Sequence, residues 1–323
     1  MELRDIEVFL VVADELHFRR AGERLYLSTG RISQTVSAME RELGGALFER
    51  TSRRVELTEL GAQFRADAGD GLERVRRAMA RARAMADSNR GVLRVGYTID
   101  VGSAVAIELA TRCQRARPGM QVVTLAQFTP GFEALQRHTV DILLTWSPGG
   151  DTTAVTGDGR AAGPVLGRVH RALLMPADHA LADRTKVSVE TAADYELFDD
   201  TADMPAAFAA AWLPPATPAG RPIRRIRDGS VGAGAAGPIS IVDAIAAVQR
   251  FGSPYLSVDA VTGNRPYPGL TTTRVTDLPP CLLVPVWQRS CESSAVRAFA
   301  DIVDGYTLDG RVDPVTPRVA RIA

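Results

Sequence analysis

The chain of 323 residues carries 38 basic and 38 acidic side chains and no formal net charge, so any attraction to a polyanion has to be local. That length suits two or three domains with real cores. The opening Met1-Glu2-Leu3-Arg4-Asp5-Ile6-Glu7 interleaves acids with apolar residues, which argues against a signal peptide, and no apolar run is long enough for a bilayer, so a cytoplasmic protein is expected.

Leu3, Ile6, Phe9, Leu10 and Ala13 recur at helical spacing and predict a first helix with one buried stripe. Phe18 to Leu25 predicts a second, closed by a polar turn from Tyr26 to Thr29. Ser28 is suited to cap a third helix by accepting a hydrogen bond from a backbone N–H of its first turn. Ile32, Val36, Met39 and Leu43 then form the inward face, and Gly44-Gly45 ends it. Residues 48–58 alternate between Arg-rich and apolar positions, as a two-stranded wing does, with Val55 and Leu57 on one face. Two short helices around a tight turn, followed by a wing, make a winged helix-turn-helix whose third helix enters a DNA major groove.

Thr29, Gly30, Arg31, Ser33, Gln34 and Ser37, with Ser28 just before them, occupy the start of that helix. Gln pairs bidentately with adenine and Arg with guanine, while Ser and Thr serve base or phosphate. Arg50, Arg53 and Arg54 are wing candidates for phosphate, each equally readable as a plain surface charge. Acids balance the arginines across this segment, so affinity per subunit is expected to be modest and compensated by multivalency.

Phe64, Ala68, Leu72, Val75, Met79 and Ala82 continue at spacings of four and three, a heptad-like seam over residues 59–89. A dimerisation helix is expected, the alternative being a solvent-exposed linker. Gly69 and Gly71 weaken it by roughly 1 kcal/mol each relative to Ala, so it needs a partner.

From Gly91 the pattern changes to strands at 92–97, 121–126 and 141–146, separated by helices at 101–117 and 132–138. Such alternation implies a mostly parallel sheet covered on both faces. A loop over 147–163 ends this unit. A second has strand candidates at 171–175, 196–199, 223–227 and 255–258 and helices at 178–184, 206–212 and 239–251. A strand at 281–287 and a helix at 293–306 return to the first. The expected class is α/β overall: a DNA-binding domain over 1–58, a linker helix over 59–89 and a two-lobed regulatory domain over 90–323. Lobe I covers about 90–163 and 266–310, and lobe II about 164–265. Cys113, Cys281 and Cys291, odd in number and widely spaced, read as reduced thiols, mostly in the core.

Ligands of such open sheets sit beyond the strand ends, where free N–H groups of the Thr98 to Ser103 turn are also available. The cleft candidates are Thr98, Asp100, Ser103, Phe128, Thr129, Trp146 and Ser147 from one lobe and Asp199, Asp200, Thr201 and Ser230 from the other. The acids oppose a simple carboxylate and favour a neutral or cationic ligand.

The first 89 residues resemble the LysR-type transcriptional regulators. The matching elements are Phe9 and Ala13, Ala21 and Leu25, Ser28 and Ser33, Met39-Glu40-Arg41-Glu42-Leu43-Gly44, Leu47-Phe48-Glu49-Arg50, and Leu57-Thr58-Glu59-Leu60-Gly61. Further on, Leu93-Arg94-Val95-Gly96, Asp141-Ile142-Leu143-Leu144, Asp178-His179-Ala180-Leu181-Ala182 and Arg297-Ala298-Phe299 are similar to the family's regulatory domain. This resemblance implies a periplasmic-binding-protein-like effector domain, a small-molecule effector, a tetramer on an imperfect palindrome, and base contacts at Thr29, Gly30, Ser33 and Gln34. RNA polymerase is a further partner expected of such a regulator. Residues 251–258, Phe-Gly-Ser-Pro-Tyr-Leu-Ser-Val, depart from the family's Gly-x-Gly-Ile-Ala-x-Leu-Pro, which keeps open a ligand-independent regulator.

Gly232-Ala233-Gly234-Ala235-Ala236-Gly237 matches G-x-G-x-x-G, with Asp259 about twenty residues on. The preceding Arg224-Arg225-Ile226-Arg227-Asp228 makes a poor buried strand, so a loop is preferred over a nucleotide-binding enzyme. No nucleophile elbow, Walker loop or His-Glu-x-x-His motif is present, and His17, His138, His170 and His179 are not at metal-ligand spacings, so neither catalysis, cofactor nor metal is expected.

Overall fold

The buried stripe read from the first residues forms α1 (Leu3–Glu15), which buries Val8, Phe9, Val12 and Ala13. The computed structural model describes residues 1–50, 54–89, 91–127, 132–202, 204–227, 241–259 and 267–306. Contacts divide the chain into two units, Met1–Ala80 and Arg81–Ala323.

In the first unit, α2 (Phe18–Leu25) begins where His17 Nδ1 accepts the backbone N–H groups of Arg19 and Arg20, and ends at Tyr26 in the left-handed region. α3 (Thr29–Leu43) is capped by Ser28, whose Oγ accepts the Arg31 N–H at 3.2 Å, and stops at Gly44 with φ 76°. A Cβ on Gly22 would lie 2.7 Å from the Leu27 carbonyl oxygen, so only glycine lets the turn fold this closely onto α2. β1 (Phe48–Arg50) and β2 (Val55–Leu57) pair antiparallel, Phe48 opposite Leu57. The Glu40 carboxylate accepts the N–H groups of Leu47 and Phe48 at 3.0 and 3.3 Å, tying the wing to α3. Phe9 lies 5.4 Å from Phe48 and 5.1 Å from Phe64, the latter edge-on, at the centre of this small core. Phe64 belongs to α4 (Glu59–Asn89).

The second unit contains β3 (Val92–Thr98), α5 (Ser103–Ala116), β4 (Gln121–Gln127), α6 (Glu133–Gln136), β5 (Ile142–Ser147), β6 (Arg160–Ala162), β7 (Gly167–Val169), β8 (Arg171–Pro176), β9 (Lys186–Val187) and α7 (Val189–Ala192). It continues with β10 (Leu197–Phe198), α8 (Ala206–Trp212), β11 (Arg225–Ile226), α9 (Ile241–Phe251), β12 (Tyr255–Val258), β13 (Leu270–Val275), β14 (Cys281–Gln288) and α10 (Ser294–Val303). One sheet has the order β4-β3-β5-β14-β6, with β7 also on β14; the other has the order β11-β10-β12-β8-β13-β9. Alternation along β8 sends Leu173 and Met175 into one apolar cluster and Leu174 into another on the opposite face, so the second sheet is covered on both sides.

The α/β architecture is as expected, but four details differ. Both sheets are mixed: β3 is parallel to β4 and β5, whereas β14 runs antiparallel to β5, β6 and β7, and β8 antiparallel to β12 and β13. Residues 178–184 form successive turns, with bonds such as Ala182 N–H to His179 O that never propagate into a helix; only Leu181 is fully buried there. The loop at 147–163 contains a short 3-10 turn (Thr153–Val155) and β6. The sheets also exchange chain later than the lobe limits foresaw, between β7 and β8 at His170 and between β13 and β14 at 276–280. Cys113 and Cys281 are free and buried, and burial pushes both thiols up to about 11; Cys291 is partly exposed. Among the described residues, no helix is long and apolar enough to cross a membrane.

Candidate nucleic-acid interface and interlobe site

Three turns of α3 are anchored from beneath by Ile32, Val36 and Met39, each at most 1% exposed. This anchoring fixes the opposite face in water. Thr29, Gly30, Arg31, Gln34, Ala38 and Arg41 are exposed, while Ser33 and Ser37 are half-buried on its flanks. Arg31, Gln34, Ala38 and Arg41 follow one another at i, i+3, i+7 and i+10, a single stripe. Among the described residues neither Arg31 nor Arg41 has an ion-pair partner; Arg41 Nε donates only to the Ser37 carbonyl, at 3.3 Å. By contrast, Arg20 and Arg24 of α2 are both held by Glu15, whose carboxyl is lowered chiefly by the Arg20 hydrogen bond. Two uncompensated cations among the described residues, Arg31 and Arg41, therefore lie on α3.

Placement alters several expectations. Ser28 spends its oxygen on the helix cap and is a positioning residue. Arg54 is paired with Glu56 at 2.7 Å. Arg50 stands in β1 opposite Val55, and Arg53 lies outside the described residues. Arg41 and Tyr26 were not foreseen. Tyr26 is 95% exposed in the turn before α3, and the i+7 spacing of Arg41 from Gln34 was the signal for the arginine. On α4, Phe64 packs on Phe9 and Leu72 is only 4% exposed, so both serve the protomer's own packing. Val75 and Met79 remain 37% and 50% exposed, Ala82 is exposed, and Ala68 is half-buried.

At the carboxyl ends of the first sheet's strands, Thr98 and Trp146 are buried and Asp100 is half-buried, its carboxyl raised by burial. Ser103 is exposed at the start of α5, and Ser147 is committed, its hydroxyl donating to the Asp151 carbonyl at 2.6 Å. Phe128, Thr129 and Ser230 lie outside the described residues, as does the whole of 232–237.

In the second lobe, Asp199 is a structural hub. Burial alone would raise its pKa, but hydrogen bonds from Thr201 (2.9 Å from N–H, 2.6 Å from Oγ1) and from Arg227 hold it below the usual range. Its neighbour Asp200 differs. Burial pushes this carboxyl up to about 6, and its Oδ2 accepts the Tyr255 hydroxyl at 2.7 Å. Arg171, 1% exposed, donates to the carbonyls of Ser257, Ala211 and Trp212 and lies over the Trp212 ring at 4.8 Å. Tyr255, Trp212, Ser257 and Arg171 were not foreseen as site residues; the charged first residue of an otherwise apolar strand was the one signal. Among the described residues, no group of three or more His, Cys, Asp or Glu is placed to hold a metal ion.

A winged helix-turn-helix followed by a long helix and a two-sheet α/β unit defines a helix-turn-helix regulator with an appended substrate-binding-type domain. Residues 3–62 match the model of the bacterial regulatory helix-turn-helix protein, lysR family, and residues 86–226 match the LysR substrate binding domain. The chain belongs to the LysR family, whose members are regulators and not enzymes.

It is similar to the transcriptional regulator IlvR of Caulobacter vibrioides, 34% identical over 142 residues, covering 43% of this chain and 48% of that protein. ClcR of Pseudomonas putida is 36% identical over 146 residues, covering 44% of this chain and 49% of ClcR. The chain thus spans about half the length of these relatives. Among solved structures, full-length CbnR complexed with its target DNA superposes with a TM-score of 0.53 at 19% identity, covering 94% of this chain and 99% of that one, a likeness of fold.

Proposed function

We propose that this chain is a sequence-specific DNA-binding transcriptional regulator controlled by a small molecule held between its two α/β lobes. The observation that carries the reading is the exposed stripe of α3, where Arg31 and Arg41 are cations without counter-charge among the described residues and Gln34 stands between them. A guanidinium and an amide at this spacing suit base edges in a major groove, and the second guanidinium suits a flanking phosphate. Self-association through Val75, Met79 and Ala82 of α4 gives a dimer, and pairing of dimers a tetramer that gains affinity by multivalency. Ligand binding between the lobes changes their relative orientation, resets the spacing of the DNA-binding heads and so alters what RNA polymerase meets at the promoter. Such a protein works in the cytoplasm.

Sequencing of genomic fragments captured by the purified chain tests the reading. A shared palindromic motif, lost or altered by Gln34→Ala, supports it; capture without sequence preference overturns it.

A further inference from the structure

Three buried polar atoms, Trp146 Nε1, Asp200 Oδ1 and Ser257 Oγ, have no hydrogen-bond partner among the described residues, and two more, Thr98 Oγ1 and Trp212 Nε1, have only a poorly aligned neighbour, the Asp100 carboxyl and the Tyr255 phenol. Folded proteins leave few such atoms, because each gives up its bond to water without replacement. These five lie along one connected path. Thr98 and Trp146 end neighbouring parallel strands, β3 and β5, with Tyr97 opposite Leu144 in the register. Asp200 follows β10 and holds Tyr255 through its other oxygen. The indole N–H of Trp212 lies beside that same phenol, and Ser257 is two residues along β12 from it. Asp100, next to Thr98 in the first lobe, is close enough to act on the Tyr255 phenol by charge, which links the two lobes' contributions. Trp146 and Trp212 also belong to one apolar cluster.

The charges around these atoms do not balance locally. Asp199 is neutralised by Arg225 and Arg227. Arg171 is the cation buried alongside, but its N–H groups go to the carbonyls of Ser257, Ala211 and Trp212, so it donates to neither Asp100 nor Asp200. Arg171 acts on Asp200 by charge without donating to it, and among the described residues Asp100 has no ion-pair partner, so negative charge is left for a ligand to meet.

We infer that the interlobe site takes a small cationic amine, whose ammonium donates to Asp200 Oδ1 and Asp100 while an adjacent ligand oxygen or the apolar stem meets the indoles of Trp146 and Trp212. The inference rests on reading this region as the effector site and adds the chemical class. A carboxylate ligand would place a third negative charge beside two acids in a site of low polarity. An ammonium supplies the donor that Oδ1 lacks, and the indole rings accept a cation on their faces. The hydroxyls of Thr98 and Ser257 rotate to suit either partner.

The test uses the full chain, with thermal melting and calorimetric titration against propylamine, putrescine, ethanolamine and agmatine, and against alcohols and carboxylates of matching length. Amines are expected to bind and raise the melting temperature. Asp200→Asn should weaken their binding by about 10- to 100-fold, the range for a hydrogen bond to a charged group. Asp100→Asn gives a second, independent loss should the first variant fold poorly. Preference for carboxylates or alcohols, amine binding that survives both variants, or no binding by any amine overturns the inference. DNA capture by the same preparation separates the two readings. Protein that selects DNA but rejects amines loses the ligand class alone, and protein that binds amines but selects no duplex loses the regulator reading alone.

Discussion

Tyr255 donates its phenol proton to Asp200 across 2.7 Å inside the second lobe, holding one carboxylate oxygen and leaving the other without a donor among the described residues. This bond satisfies half of a buried acid. The remaining half is a liability in the ligand-free chain, and it shapes how stability should depend on pH.

Burial raises Asp200 from 3.8 to about 6, so between those values the folded chain holds a proton that the unfolded chain has released. Stability must therefore fall as pH rises through this window, with the full cost present above about 6. Asp200→Asn removes the ionisation while keeping an acceptor for Tyr255. The variant should be more stable than the parent near neutrality, on the order of 3 kcal/mol, with the gain vanishing near pH 4. Denaturation midpoints across that range check it; a gain independent of pH would refute the burial argument.

A second prediction concerns the turn that carries α3. Gly22→Ala sets a Cβ 2.7 Å from the Leu27 carbonyl, backbone that cannot yield without displacing Ser28 and the start of the helix. It should cost about 1–3 kcal/mol of stability in the first unit, as overpacking does, and weaken DNA capture further than the stability loss explains. Gly30→Ala, whose added Cβ meets nothing within 4 Å, is the control that should fold normally.

Those local features explain why the first unit was legible in the sequence and the second only partly. Ser28, Gly44 and the apolar period of α1 to α3 act through neighbours a few residues away, so sequence distance and spatial distance agree. β13 shows the opposite case: Leu270-Thr271-Thr272-Thr273-Arg274-Val275 has weak apolar contrast, and it is a strand because β8 and β9 flank it. The interlobe site mixes both. Thr98, Trp146 and Asp200 stand at strand ends and could be named from pattern, whereas Tyr255, Trp212 and Arg171 join through contacts 40 to 86 residues apart in the chain. For the seam residues Phe64 and Leu72, which pack within the protomer, a heptad pattern does not say whether the covering surface belongs to a partner or to the same protomer.

On the recognition face, Gln34 and Arg41 should fail differently. A bidentate amide–adenine pair is worth about 1–3 kcal/mol against the wrong base, so Gln34→Ala should flatten preference at one operator position. Arg41→Ala should instead weaken all duplexes alike and reduce the slope of log affinity against log salt by about 1. Binding titrations over several salt concentrations distinguish them. Identical behaviour of the two variants would mean that the stripe as a whole senses only backbone.

The long helix α4 offers a final separation of roles. Phe64 touches Phe9 within the protomer, whereas Met79 is half exposed at 50%. Phe64→Ala should leave a cavity and cost about 3–5 kcal/mol of folding stability in the first unit, with association changed only as far as unfolding demands. Met79→Glu introduces a charge at a position solvated in the lone chain, so it should barely move the unfolding transition measured at high dilution. If α4 pairs with a second copy, that same charge must be buried against an apolar seam, and the dimer should dissociate at concentrations at which the parent remains assembled. Sedimentation of both variants decides the matter: a dimer that tolerates Met79→Glu, and likewise Val75→Glu, would show that the exposed stripe of this helix is not the surface through which the chain associates.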